Sequence, residues 1–100
     1  MIQRVLEKLE TALEDWERMK TADEEDSDEC AERFERNFYE FIDELKLWYQ
    51  QLEKPPATIE EAETMLEIKE MLERLPDPLE LNFLTELEFI IDGEERVRFD

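Results

Sequence analysis

Ala31-Glu32-Arg33-Phe34-Glu35-Arg36-Asn37-Phe38-Tyr39-Glu40-Phe41-Ile42-Asp43-Glu44-Leu45-Lys46-Leu47-Trp48 carries its large apolar residues at helical spacing. Ala31, Phe34, Phe38, Phe41, Leu45, Trp48 and Leu52 follow one another at alternating steps of three and four, which lines them along one side of a helix. Ile42 and Tyr49 flank the same stripe, and the pattern predicts a helix over about 28–53. Pro55-Pro56 closes it, because neither proline can continue the i→i−4 hydrogen-bond ladder.

The same spacing lies upstream. Ile2, Val5, Leu9, Ala12, Trp16 and Met19, with Leu6 and Leu13 widening the stripe, predict a helix over about 2–20. Between the two helices, Thr21-Ala22-Asp23-Glu24-Glu25-Asp26-Ser27-Asp28-Glu29 holds six acids and no base. So polar a run reads as an exposed loop, with Asp26 or Ser27 capping the helix that follows. Two heptad-patterned helices joined by a short loop make an antiparallel helical hairpin.

Downstream, Thr58 caps a third helix over about 58–75, and Glu61 completes a capping box. Its stripe is Ile59, Ala62, Met65, Leu66, Ile68, Leu72 and Leu75, and Pro76 stops it. Asp77 as cap, Pro78 in the first turn and a reciprocal Glu80 start a fourth helix over about 78–91. Leu79, Phe83, Leu84, Leu87, Ile90 and Ile91 share one of its faces, with Gly93 placed for a left-handed cap. The alternative for this stretch is a C-terminal β-hairpin, with strand alternation at Leu79, Leu81, Phe83, Leu87, Phe89 and Ile91 and a turn at Asp92-Gly93. A two-residue turn would set Ile91 against Glu94 and Phe89 against Arg96, leaving Val97 and Phe99 on the wrong face. Helix is therefore preferred. The expected fold class is all-α: one domain over 1–100, a small bundle of about four helices built on the long hairpin.

Composition narrows the function. The 100 residues hold 31 Asp+Glu against 12 Lys+Arg, a net charge of −19, and no histidine. A share of 41% apolar residues, ten of them aromatic, is too hydrophobic for a disordered acidic tail. A single glycine excludes glycine-rich phosphate loops and makes a turn-rich β-sandwich or barrel untenable. The charge repels nucleic-acid phosphates and anionic lipid, so neither nucleic acid nor membrane is expected as a direct partner. No apolar run is long enough to span a bilayer, Met1-Ile2-Gln3-Arg4 opens no signal-peptide core, and Cys30 is the lone cysteine. A reducing, cytoplasmic setting is expected. Adaptation to high salt would also give an acidic chain, but Glu outnumbers Asp and large apolar residues are plentiful.

Without histidine there is no Ser-His or Cys-His pair. A Mg²⁺-dependent hydrolase built on carboxylates is the weakest alternative. Asp28-Glu29-x-x-Glu32 and Glu40-x-x-Asp43 supply carboxylate pairs, but such pairs must face each other from different helices, and both fall on one helix here. The 23–29 run lacks the glycine and ligand alternation of a calcium loop. Acidic neighbours disfavour the Cys30 thiolate, which makes it a structural residue at the core's edge. The aromatic stripe is core, leaving Tyr39 and Phe99 as candidate contacts. No enzyme activity, catalytic residue, metal ligand or cofactor is expected.

The charge is uneven. Residues 23–32 carry a net −7 and residues 57–93 a net −9. On a continuous helix Glu63, Glu67 and Glu70 stack turn on turn, with Glu60 before them, presenting carboxylates about 5.4 Å apart. Helices made acidic only for solubility usually mix Lys with Glu. Glu60, Glu63, Glu67, Glu70, Asp23, Glu24, Glu25 and Asp26 are therefore the candidate partner-binding residues. The expected function is non-enzymatic: an acidic protein-binding module that inhibits or regulates a nucleic-acid-binding or otherwise basic protein, through DNA charge mimicry. The alternative is a helical assembly or small-subunit protein acting through an apolar interface. The chain is expected as a monomer or homodimer.

Overall fold

α1 (Ile2–Thr21) and α2 (Glu24–Gln50) run antiparallel, and the side chains that bridge them define the register. Arg4 Nε meets Glu44 Oε1 at 3.0 Å and Lys8 Nζ meets Glu40 Oε2 at 3.6 Å. Further along α1, the Trp16 ring packs on Phe34, and Asn37 Nδ2 donates to Asp15 Oδ2. Position thus rises on α1 as it falls on α2. The computed structural model describes residues 2–21 and 23–93, with every side chain among them except those of Glu24 and Asp26. Three further helices, α3 (Ile59–Glu63), α4 (Leu66–Arg74) and α5 (Asp77–Asp92), follow the hairpin, and there is no strand among the described residues. The chain divides into two compact units, Met1–Trp48 and Tyr49–Asp100.

In the first unit the heptad stripes form the buried face. Val5, Leu9 and Ala12 on α1 and Phe38, Phe41, Ile42, Leu45 and Trp48 on α2 are buried. Burying a side chain the size of Leu9 or Phe41 contributes about 1.5–3 kcal/mol. The rings of Trp16, Phe34, Phe38 and Phe41 follow one another at centroid distances of 5.3, 5.7 and 5.9 Å, tilted or edge-on, the arrangement that aromatic quadrupoles favour. Ala31, at the head of the predicted stripe, is exposed, so the buried face begins only near Phe34.

The acidic connection is shorter than its composition suggested. α2 begins at Glu24 instead of near 28. Carboxylates that cannot pack in a core need no core in a helix's first turns, where the positive end of the dipole stabilises them. Neither Asp26 nor Ser27 stands at the start of the helix, so the predicted cap is corrected as well. At the other end α2 stops at Gln50, before the predicted 53. Tyr49 Oη donates to the Pro56 carbonyl at 2.9 Å, which ties the chain back as it leaves the helix.

Thr58 caps α3 as predicted, its Oγ1 accepting from Glu61 N at 3.2 Å, but the return bond of the expected capping box is shifted by one residue: Glu61 Oε2 accepts from Ala57 N at 2.7 Å. The predicted third helix is nevertheless two helices. Thr64 N and Thr64 Oγ1 both donate to the Glu61 carbonyl, at 3.1 and 2.6 Å, and Met65 turns extended at ψ 136° before α4 begins. A threonine bonding back to its preceding turn loosens a helix without by itself ending it, for Thr11 and Thr85 bond back in this way inside unbroken α1 and α5. The row of glutamates on either side adds repulsion of about 0.2–0.5 kcal/mol per like-charged pair. The break changes which residues are buried. Ala62, Ile68, Met71 and Leu75 are the buried set here, whereas Leu66, predicted for the core stripe, is 80% exposed.

α5 replaces the alternative hairpin through Asp92, and Val97 and Phe99 lie outside the described residues. Leu79, Phe83 and Leu87 form its buried face, with Leu84, Ile90 and Ile91 half-buried. Pro76, not Asp77, occupies the N-cap, and no side chain caps it; Asp77 instead enters the first turn, where its charge suits the dipole. Gly93 ends the helix at φ 73°, the left-handed conformation that a Cβ disfavours.

Candidate functional site

Each acidic zone rests on its own unit. In the first, Asp23 precedes α2 and Glu25, Asp28, Glu29 and Glu32 ride its opening turns, all exposed. Arg33 Nη2 approaches Glu29 Oε1 at 3.7 Å. The backbone places Glu24 and Asp26 within the same turns; their side chains lie outside the described residues.

In the second unit Glu60 and Glu63 belong to α3, and Glu67 and Glu70 to α4, so the four sit on neighbouring helices. Glu60, Glu63 and Glu70 are exposed and Glu67 is half-buried. The turn at Thr64–Met65 means that Glu63, Glu67 and Glu70 do not form the single straight row expected of a continuous helix. With Glu60 they form two short i, i+3 pairs, Glu60 and Glu63 before the elbow and Glu67 and Glu70 after it. Glu70 Oε1 receives Arg74 Nη2 at 3.0 Å. Lys69 and Arg74 are the bases of residues 57–93, against eleven acids. The zone stays strongly negative after every available pairing, and that surplus is what a cationic surface would meet.

The residues weighed for metal chemistry are spread along α2. Glu29 and Glu40 each face a base, Arg33 and Lys8, at 3.7 and 3.6 Å. Among the described residues no three Asp, Glu or Cys side chains gather closely enough to hold a metal ion. Cys30 is half-buried, at the edge of the α2 stripe. Tyr39 is half-buried, its ring edge-on to Phe38 at 6.1 Å. No helix among the described residues is long and apolar enough to cross a membrane.

Three features escaped the sequence pattern. Asp15, 4% exposed, falls on the inner side of α1 one residue before Trp16. Glu86, 5% exposed, lies on the inner side of α5 three residues after Phe83. Leu66 and Leu81 stand out in solvent at 80% and 71% exposure. A signal for Leu66 exists in Met65-Leu66: two adjacent apolar residues point about 100° apart on a helix, so one of them leaves a narrow stripe. Comparison of the chain with protein-family models, curated proteins and solved structures finds no match.

Proposed function

We propose that the chain is a non-enzymatic, acidic protein-binding module. It acts in the cytoplasm, where Cys30 stays reduced, and inhibits or regulates a nucleic-acid-binding or otherwise basic protein by occupying its cationic surface. The observation that carries this reading is the acid surplus of the second zone: six acids to two bases on α3 and α4, within eleven to two over residues 57–93, with Glu60, Glu63 and Glu70 in solvent. A groove that binds nucleic-acid phosphates through Lys and Arg recognises closely spaced negative charge, and a rigid helical surface supplies it without the entropy cost of ordering a tail.

The test is affinity capture from extract at low and high salt, with the wild type and a Glu60→Gln, Glu63→Gln, Glu67→Gln variant. The variant spares Glu70 and its Arg74 pair, so helix content by circular dichroism should be unchanged. Capture should weaken at least tenfold in the variant and fall as salt rises, because steering by charge is screened. Capture indifferent to both changes would refute the reading. It would favour helical assembly through an apolar interface, for which the exposed Leu47, Leu66 and Leu81 are the supporting observation.

A further inference from the structure

The buried residues of α1 and α2 keep one helical phase across the turn that separates them. Val5, Leu9 and Ala12 on α1 are followed 36 residues later by Phe41, Leu45 and Trp48 on α2, all six buried. The half-buried Ile2 and Leu6 have Phe38 and Ile42 at the same separation, and Trp16 has its contact Phe34 eighteen residues on. At 3.6 residues per turn these separations are about ten turns and about five. A hairpin has no need of that agreement, because a loop can set two helices at any rotation. One unbroken helix over 2–50 does need it, for only then do both stripes lie on one side.

The sequence permits such a helix. α1 ends at Thr21 and α2 begins at Glu24, and no glycine or proline precedes Pro55. Joining the helices would pair the last carbonyls of α1 with the first N–H groups of α2, which helix ends leave without intrahelical partners. A chain opened in this way bares one stripe along its whole length, and the surface that fits is the same stripe of a second copy, antiparallel. Each contact of the hairpin then re-forms between copies: Arg4 with Glu44, Lys8 with Glu40, Asp15 with Asn37 and Trp16 with Phe34. Arg4 facing Glu44 and Lys8 facing Glu40 put the midpoint of that pairing at residue 24, so the acidic residues 23–26 of the two copies would meet. Like charges at the crossing oppose the exchange, and Glu24 and Glu25 would also leave the positive end of the α2 dipole. We propose that the hairpin exchanges α1 between two copies through a continuous helix over 2–50, and that the acids at 23–26 hold the exchange closed until their charge is screened or removed.

Sedimentation and Förster transfer on the full chain test this. Donor and acceptor dyes go on the exposed positions of Gln3→Cys and Gln50→Cys in a Cys30→Ser background, and labelled protein is diluted into excess unlabelled protein so that transfer reports distances within one chain. The closed hairpin holds the dyes within about 25 Å, whereas the continuous helix sets them about 70 Å apart. Samples are warmed through the melting transition and cooled, because exchange requires the hairpin to open. At about 0.01 M NaCl the wild type should sediment as a monomer with high transfer; at about 1 M, where screening is nearly complete, a dimer should form and transfer should be lost. Asp23→Ala, Glu24→Ala, Glu25→Ala and Asp26→Ala together should bring the dimer to low salt, with a dissociation constant at least tenfold below that of the wild type. Asp23→Pro should keep the chain monomeric at both salts, since proline breaks a continuous helix and is tolerated at the start of α2. Should circular dichroism show the proline variant unfolded, Asp23→Gly takes its place, glycine being acceptable before a helix and unfavourable within one. A chain that stays monomeric in high salt and with the four alanines overturns the proposal. So does a dimer that retains high transfer, which would be two closed hairpins side by side, or a dimer that neither substitution of Asp23 weakens.

Discussion

Asp15 illustrates how a single polar residue is accommodated inside an apolar hairpin. It is 4% exposed, accepts from Asn37 Nδ2 across the α1–α2 interface and lies 3.7 Å from Arg18 Nη1 one turn on. A buried polar group with its partner contributes little net stability, but a partner left alone costs about 1–3 kcal/mol. Asp15→Ala should therefore lower unfolding free energy by about that amount in urea titration, through the orphaned Asn37 amide as much as through the lost carboxylate. Asp15→Leu combined with Asn37→Leu removes both polar groups and should recover most of the loss. If the double variant is no better than Asp15→Ala, the pair is not coupled. Such a pair also fixes register, because sliding the helices by one turn would bury both groups without partners. Nearby, Trp16 Nε1 is buried with no hydrogen-bond partner among the described residues, so ring packing with Phe34 is what holds that side chain.

At the level of the helix, caps and breaks decide where elements end, and they were unevenly legible. α1 and α2 could be read from heptads because seven-residue repeats over five or six turns leave little freedom of period. The Thr58 cap was legible for a different reason, that a hydroxyl and a glutamate three residues apart satisfy two backbone donors. The α3–α4 break was not legible. Periodicity reports which residues share a face and says nothing of where the backbone turns extended, as it does at Met65. The acidic ridge inherited that error, since its straight geometry presupposed one helix; the identities of its exposed glutamates did not depend on it. Gly93 gives this scale its prediction. Among the described residues nothing lies within 4 Å of where a Cβ would stand, so Gly93→Ala should cost only the left-handed conformation, about 1 kcal/mol. Gly93→Asn should cost less, since Asn tolerates that conformation. Equal losses for the two would point to a contact of the glycine backbone and not to its φ of 73°.

For the molecule as a whole, the question is how a net charge of −19 bears on a folded chain of 100 residues. Residues 23–32 and 57–93 together hold sixteen of those nineteen charges, and the ion pairs Arg4–Glu44 and Lys8–Glu40 fall outside both segments. Each zone therefore stores like-charge repulsion that compact structure increases and unfolding relieves. The Debye length is about 30 Å at 0.01 M salt and about 3 Å at 1 M, so added NaCl screens nearly all of this repulsion. Surface ion pairs lose strength over the same range, but each is worth no more than about 1 kcal/mol. Repulsion should win, and the melting temperature should rise as NaCl is added from low salt. Asp23→Asn, Glu24→Gln and Glu25→Gln together should reproduce part of that rise at 0.01 M, a range where screening is weakest. A melting temperature that is flat or falls would mean that the acids are already compensated. The same titration with Mg²⁺ discriminates the kind of compensation. Glu29, Glu32, Glu40 and Asp43 are strung along one helix, with Glu29 and Glu40 already beside Arg33 and Lys8. Mg²⁺ should accordingly stabilise no more than NaCl of equal ionic strength. A markedly larger effect at millimolar Mg²⁺, lost on Glu32→Gln, would establish a cation site on α2 and return carboxylate chemistry to the argument.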